Sequence, residues 1–399
     1  MLTSIAMILL LGLAAGWFFS KMKLPSLLGM ILVGIAIGPH SLGLIDDSLM
    51  GISADIRQIA LVIILTRAGL SLNLADLKKV GRPAVLMCFV PACIEMIGTI
   101  LLAPPLLGLS VLDAAVIGSV IAAVSPAVVV PRMIKLLEEG YGTRESVPQM
   151  ILAGASVDDV FVIVVFTALT TLASTGNISV SSFGQIPVSI CLGILLGCIS
   201  GILLVAFFKK CQMRDSIKVL IMLCVSFLML EIQELLEGIV PVSGLLAIMS
   251  IGIVMKRQYD ELARRISVKY NKLWLCAEVF LFVLVGAAVD LKYAMAAGIA
   301  AIVLVAGAMV FRMAGVFLSL LGTSLTKKER LFCMMAYTPK ATVQAAIGTI
   351  PLTMGLSCGS IALTVAVISI LLTAPFGAIC VDNSYKKLLK PAKNEESKS

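Results

Sequence analysis

Two adjacent aspartates inside an apolar segment are the residues of this sequence best suited to chemistry. Asp158 and Asp159 lie within an apolar run from about Val147 to Thr171, which can cross a bilayer because a spanning helix needs roughly 20 residues. A carboxylate at the bilayer centre costs on the order of 3 kcal/mol on insertion scales. The pair therefore predicts a cation and proton site. The alternative is a structural pair that a buried Lys or Arg neutralises.

Two further polar residues, Ser125 and Lys340, stand next to prolines in other apolar segments. Pro126 and Pro339 each remove a backbone donor and clash with the preceding turn, so both helices should be interrupted. Interrupted helices expose ends with partial charges. We expect Lys340 to neutralise two C-terminal ends where the broken helices cross, and Ser125 to satisfy free carbonyls or face the ion. Two ordinary proline kinks are the alternative.

The composition is that of a polytopic membrane protein. The mean hydropathy of the 399 residues is +1.08, 60% of them are hydrophobic and only 14% are charged, against about 25% charged in soluble domains. Thirteen spans of bilayer length are predicted. They cover roughly 3–20, 24–40, 56–73, 83–108, 112–136, 147–173, 186–208, 216–236, 239–256, 272–290, 294–321, 328–350 and 355–381.

The basic residues define the predicted topology. Most of the 31 Lys and Arg residues fall in alternate loops and in the tail after residue 381, so the net charge of +8 indicates membrane orientation and not nucleic-acid binding. The pattern places the N-terminus outside the cell and the C-terminus in the cytoplasm. The expected location is the plasma (cell inner) membrane.

An internal repeat relates spans one to six to spans eight to thirteen. The matching positions are Pro25 with Pro241, Gly69 with Gly286, Asn73 with Asp290, Glu95 with Arg312 and Pro126 with Pro339. Seven spans separate each pair, and an odd number reverses the orientation of one half. Inverted repeats with broken helices are typical of secondary transporters.

Three more charged residues inside predicted spans are candidates for a role in the core or on the ion path. Because Glu95 and Arg312 are equivalent positions of the repeat, we expect them to form a buried structural ion pair; the alternative places Glu95 on the ion path. If Glu95 occupies Arg312, Arg312 should be less available to neutralise Asp158, which would leave both aspartates free for ions and protons. Arg67 either contributes to the ion path or has a structural role. In the structural role it either donates hydrogen bonds to carbonyls or extends its charged end to the membrane interface.

Several segments together resemble the cation:proton antiporter superfamily, and within it the NHA-type sodium/proton antiporters. The resemblance rests on Arg67–Leu70, Ala123–Pro131, Gly140–Gly142, Ser156–Asp159 and Pro339–Gly348, which span most of the chain in the family's order. It implies that Asp159 is the main cation and proton carrier beside Asp158. It also implies an ion pair at Glu95 and Arg312 and a crossing-point lysine at Lys340. Some relatives have Asn in place of Asp158 or Lys in place of Arg312, so the stoichiometry is left open.

The resemblance also implies a homodimer with an elevator-type mechanism. The dimerisation domain would comprise residues 1–82 and 216–293, and the transport core residues 83–173 and 294–381. Residues 174–215 would form a linker helix and residues 382–399 a short cytoplasmic tail.

The predicted function is Na⁺(Li⁺)/H⁺ antiport for pH homeostasis and sodium tolerance, with Na⁺ or Li⁺ held by Asp158, Asp159, Ser125 and water. K⁺/H⁺ exchange and Na⁺-coupled symport of an organic anion are alternatives. An intramembrane aspartyl protease is excluded because adjacent aspartates on one helix cannot face each other as a dyad. We therefore expect no enzymatic activity and no cofactor; the expected partners are the transported ions, membrane lipid and a second copy of the chain.

Overall fold

The computed structural model describes residues 1–71, 81–174, 180–236, 240 and 242–391, with backbone alone at residues 71, 127, 156, 180–187 and 291–297. Two repeat positions, Asn73 and Pro241, lie outside the described residues, as do tail residues 392–399. The described residues are helical and contain no β-strand; Tyr141 and Pro391 form an isolated bridge.

Eighteen helices are described. In chain order they are α1 (Leu2–Lys21), α2 (Ser26–Ile37), α3 (Asp47–Gly51), α4 (Ser53–Ser71), α5 (Arg82–Met87), α6 (Val90–Leu107), α7 (Val111–Ile121), α8 (Pro126–Glu138) and α9 (Val147–Ser174). They continue with α10 (Val180–Lys210), α11 (Asp215–Leu235), α12 (Gly244–Gln258), α13 (Asp260–Ala287), α14 (Leu291–Ser319), α15 (Lys327–Ala336), α16 (Thr342–Ile347), α17 (Ile350–Thr353) and α18 (Gly359–Leu388).

Seven helical segments of the described chain are long and apolar enough to cross a membrane. They are Leu2–Lys21, Arg82–Leu107, Val147–Ser174, Val188–Lys210, Asp260–Ala287, Gly298–Ser319 and Gly359–Leu388. The other predicted spans correspond to helices that are shorter, more polar or interrupted, such as α2 and α7. The count of thirteen spans therefore remains a prediction.

Helix α13 starts well before the predicted span at 272–290. Its first turns carry charges that pair four residues apart, Asp260 with Arg264 at 2.8 Å and Glu261 with Arg265 at 2.8 Å. Such acid-before-base pairs stabilise a helix and suit its N-terminal dipole. The charged stretch thus extends the apolar helix, although apolarity alone gave no sign of it.

The first compact unit comprises Met1–Leu13, Met30–Leu72 and Ile163–Ala288. Within it, α12 packs against α4 and α10, and α13 packs against α4. Small residues allow the closest approach, because a Cβ on Gly69 would lie 2.4 Å from the carbonyl oxygen of Met249. Arg57 is buried in this unit, where its Nη1 donates to the carbonyl of Leu284 at 3.4 Å.

The second compact unit comprises Ala14–Gly29, Asn73–Val162 and Val289–Ser399. Helices α6 and α14, which belong to the two repeats, pack along their lengths, and α18 packs against α7, α8, α14 and α15. The segment 14–29 falls in this unit and the predicted linker 174–215 in the first. The dimerisation and transport roles assigned to parts of the chain remain predictions.

Candidate ion-binding site

Two interrupted helices provide the backbone of the candidate site in the second unit. Helix α7 ends at Ile121 and α8 starts at Pro126, while α15 ends at Ala336 and α16 starts at Thr342. Both interruptions lie at the predicted prolines. Pro126 is tolerated at the start of α8 because the first amides of a helix have no intrahelical partner. The amide of Ser125 donates to the carbonyl of Pro339 at 2.7 Å, so a hydrogen bond joins the two interruptions.

Arg312 of α14 is the hub of the buried charges. Its side chain has no solvent exposure and bonds four groups: Nη1 donates to Glu95 Oε2 at 2.8 Å and to the carbonyl of Ala122, Nη2 to Asp158 Oδ2 at 2.9 Å, and Nε to the carbonyl of Tyr337 at 2.6 Å. The planar guanidinium can bind several acceptors at once. Arg312 therefore links both interruptions to two carboxylates.

Lys340 carries the second buried positive charge of the site. Its Nζ lies 2.6 Å from Glu95 Oε2 and its backbone amide donates to Thr373 Oγ1 at 2.9 Å. Glu95 is fully buried and accepts from both Lys340 and Arg312. One carboxylate therefore holds two cations, which offsets part of the repulsion between them.

Asp158 is bound on one side and unpartnered on the other. Its Oδ2 accepts from the amide of Val124 at 2.7 Å as well as from Arg312, whereas its Oδ1 is buried with no hydrogen-bond partner among the described residues. The Val124 amide belongs to the interruption between α7 and α8. The broken backbone thus supplies a donor that an intact helix would have used internally.

Asp159 and Ser125 supply further free oxygens near Asp158, and Glu95 Oε1 is also buried without a partner among the described residues. Asp159 is 9% exposed, forms no ion pair within the described part of the chain, and has a buried Oδ1 without a hydrogen-bond partner. Ser125 Oγ is also buried and unpartnered there. An unsatisfied buried carboxylate is costly unless a proton or cation neutralises it. These oxygens are of the type that hard cations prefer.

The formal charges of the site do not balance. Glu95, Asp158 and Asp159 carry three negative charges, and Arg312 and Lys340 carry two positive charges. One negative charge is left, and Asp159 is the carboxylate without a bonded cation. The described residues contain no group of three or more His, Cys, Asp or Glu side chains that could hold a metal ion. One monovalent cation or one proton would make the site neutral.

The profile of the transmembrane sodium/hydrogen exchanger family matches residues 5–381. The chain belongs to this family. Human sodium/hydrogen exchanger 9B2 is 32% identical over 388 residues, which is 93% of this chain and 71% of the human protein. Human sodium/hydrogen exchanger 9B1 is 30% identical over 382 residues, or 92% of this chain and 73% of that protein. The family and the apolar helices make this chain an integral membrane protein of the antiporter class.

The fold also resembles a solved exchanger. The structure of the sodium proton antiporter MjNhaP1 from Methanocaldococcus jannaschii at pH 8 superposes with a TM-score of 0.83 and covers 97% of this chain and 98% of its own. The sequence identity is 23%. The expected membership of the cation:proton antiporter superfamily is thus confirmed by the sequence family, and the fold agrees with it.

Two expectations about the charged residues of this exchanger require correction. Arg312 was expected to be less available to Asp158 once paired with Glu95, but it bonds both carboxylates because its fork presents a separate nitrogen to each. Lys340 lies at the interruption as expected, yet its ammonium contacts the Glu95 carboxylate and not helix ends. A full negative charge attracts an ammonium more strongly than the half charge of a helix terminus.

One predicted residue, Arg67, lies outside the unit that holds the candidate site, and the sequence did not single out three other buried or half-buried polar residues. Arg67 is half-buried on α4 in the first unit, where it is attracted to Glu278 of α13, a residue that sequence reasoning missed. Gln344 and Tyr337 were also missed. A side-chain amide four positions after Lys340, in a segment otherwise made mostly of Ala, Val, Ile and Thr342, was the available signal for Gln344.

Proposed function

We propose that this chain exchanges Na⁺ or Li⁺ for H⁺ at a site formed by Asp158, Asp159 and Ser125. The observation that carries the proposal is the uncompensated carboxylate of Asp159 next to a carboxylate that Arg312 already neutralises. A proton and a monovalent cation compete for the same charge, and the resident pairs stay in place. Membership of the sodium/hydrogen exchanger family supports Na⁺ and H⁺ as the transported ions.

The roles follow from the contacts. Asp159 carries the exchanged ion. Asp158, fixed on its Oδ2 by Arg312 and Val124, offers its free Oδ1 as a second ligand. Ser125 Oγ contributes a neutral ligand, and water completes the shell. Glu95 and Lys340 hold Arg312 and the interrupted backbone in position and do not bind the transported ion.

The charge balance supports one-for-one exchange. The empty site carries one excess negative charge, and either one Na⁺ or one H⁺ brings it to zero while Arg312 and Lys340 remain charged. A neutral loaded site can cross the low-dielectric part of the membrane at less cost than a charged one. The empty, charged site cannot, and this prevents the protein from leaking ions.

The transport cycle and its setting belong to the same proposal. The site opens alternately to each side of a plasma membrane through elevator-type movement, in a homodimer whose N-terminus is outside and whose C-terminus is cytoplasmic. The inward proton gradient drives Na⁺ out of the cell.

The test uses purified protein in proteoliposomes with an imposed pH gradient and an internal pH dye. Na⁺ or Li⁺ should collapse the gradient, and Asp159→Asn should abolish the response while the protein remains folded. Thr364→Val is the matched control, because Thr364 is buried in the same unit but bonds only within its own helix, to the carbonyl of Ser360 at 2.8 Å. Collapse by K⁺ alone would indicate K⁺/H⁺ exchange. No response to any of these cations, or one that persists in Asp159→Asn, would refute the site.

A further inference from the structure

The side-chain amide of Gln344 bridges the two interrupted helices. Its Nε2 donates to the carbonyl of Ala123 at 2.8 Å, and its Oε1 accepts from the backbone amide of Ala341 at 2.8 Å. Gln344 is fully buried on α16. The side chain thus caps the start of α16 with one end and reaches the break after α7 with the other, so both its donor and its acceptor are used between the two interruptions.

The carbonyl that Gln344 binds belongs to the same peptide group as the amide that binds Asp158. The carbonyl of Ala123 and the N–H of Val124 are opposite ends of one planar peptide unit. Gln344 Nε2 binds the oxygen end, and the nitrogen end donates to Asp158 Oδ2 at 2.7 Å. Rotation of this peptide would break both bonds together. The contact at one end therefore fixes the direction of the donor at the other.

The flanking backbone makes this orientation dependent on Gln344. Residues 122–125 lie outside any helix, so the peptide has no intrahelical bonds to hold it. The preceding carbonyl, that of Ala122, accepts from Arg312, and the following amide, that of Ser125, donates to Pro339. Neither contact involves the 123–124 peptide. Chains of hydrogen bonds also polarise one another, which strengthens the Val124 contact to a charged acceptor.

We infer that Gln344 is a positioning residue for the transported cation, acting on Asp158 through the Ala123–Val124 peptide. This inference rests on the proposed function, because it assigns Gln344 to the same site. It differs from a general packing role in one respect. Loss of the amide should change how tightly the cation is held, since the carboxylate that offers Oδ1 to the ion would keep Arg312 on its Oδ2 side but lose the second, oriented donor from Val124.

Gln344→Met tests the inference, because methionine has a similar length and volume and lacks the donor and the acceptor. The apparent KM for Na⁺ in proteoliposomes should rise roughly tenfold, the loss expected for one hydrogen bond to a charged group. The maximal rate should change much less, while the melting temperature without Na⁺ should fall because the carbonyl of Ala123 and the amide of Ala341 lose their buried partner. Thr364→Val should leave the KM as in the unaltered protein, which separates loss of this contact from loss of any buried hydrogen bond.

The outcomes separate this inference from the proposed function. If the unaltered protein shows no cation-driven proton movement, both fail. If it exchanges normally and Gln344→Met keeps its KM, whatever happens to rate or stability, only the inference about Gln344 is refuted. Should the variant not fold, hydrogen exchange of the unaltered protein decides. Slow exchange of both the Gln344 side-chain amide and the Val124 backbone amide is expected, and exchange of either at the rate of a solvated group would overturn the inference.

Discussion

The contact between Arg312 and Asp158 makes a quantitative prediction about stability. Replacing Arg312 by Met removes the cation from Asp158 and leaves only the amide of Val124 as a donor. Glu95 keeps its contact with Lys340 at 2.6 Å, so Asp158 is the carboxylate that loses its counter-charge. Breaking a buried pair on one side costs about 3–5 kcal/mol. Lost bonds to the carbonyls of Ala122 and Tyr337 add about 1 kcal/mol each.

The compensating change is Asp158→Asn, which removes the stranded charge while preserving shape. In the double variant the penalty for the uncompensated carboxylate disappears and the penalty for the two carbonyls remains. We therefore expect the double variant to be more stable than the sum of the single changes predicts, by about 2–3 kcal/mol. The measurement is a double-mutant cycle. The free energy of unfolding in detergent micelles is determined by reversible denaturant titration for the unaltered protein, the two single variants and the double variant.

Asp159→Asn is the matched control for this cycle. It neutralises the adjacent carboxylate, which has no bond to Arg312. Its coupling to Arg312→Met should stay below about 1 kcal/mol, and by itself it should stabilise the protein because it removes an unpaired buried charge. Strict additivity between Arg312 and Asp158, or equal coupling to both aspartates, would refute the reasoning that Arg312 neutralises Asp158 and leaves Asp159 for transport.

Three further predictions concern the same unit. Asp158→Asn should raise the apparent KM for Na⁺ several-fold or change the charge moved per cycle, measured in proteoliposomes; no change in either would make Asp158 purely structural. One-for-one exchange should run at a rate independent of an imposed membrane potential, and since one net charge is worth about 2.3 kcal/mol per 100 mV, a clear voltage response would contradict the charge balance. Gly377→Ala should lower stability by about 1–3 kcal/mol, because its Cβ would lie 2.4 Å from Pro339 Cγ, whereas Gly298→Ala, with open space around it, should be neutral in thermal melts.

The sequence predicted those parts of the site that depend on one residue type in an unusual place. Asp158 and Asp159 stand out in an apolar run because buried carboxylates are rare, and the prolines at 126 and 339 mark helix breaks because of their backbone chemistry. The repeat register brought Glu95 and Arg312 into correspondence, and the structure places them 2.8 Å apart. Local rules and symmetry were sufficient for these features.

The connections between these residues could not be predicted in the same way. Whether Arg312 binds one carboxylate or two depends on the direction of its planar fork, and the register of a repeat fixes position but not rotamer. The contact of Lys340 with Glu95 depends on side-chain reach across α6 and the interruption. The role of Gln344 depends on the rotation of one peptide, which no spacing in the sequence encodes.

The arrangement of charges bears on how the proposed site would exchange ions without letting them leak. Arg312 and Lys340 are each held by carboxylates within 2.9 Å, so neither is free to compete for Asp159. If either cation moved to Asp159, the excess negative charge would be left on Glu95 or Asp158, and Asp159 would no longer be the carboxylate that needs an external cation. Under the proposed function the fixed pairs would serve transport as well as structure, because they leave Asp159 as the carboxylate that an external cation neutralises. In that proposal, exchange follows because the site becomes neutral only when it carries either Na⁺ or H⁺.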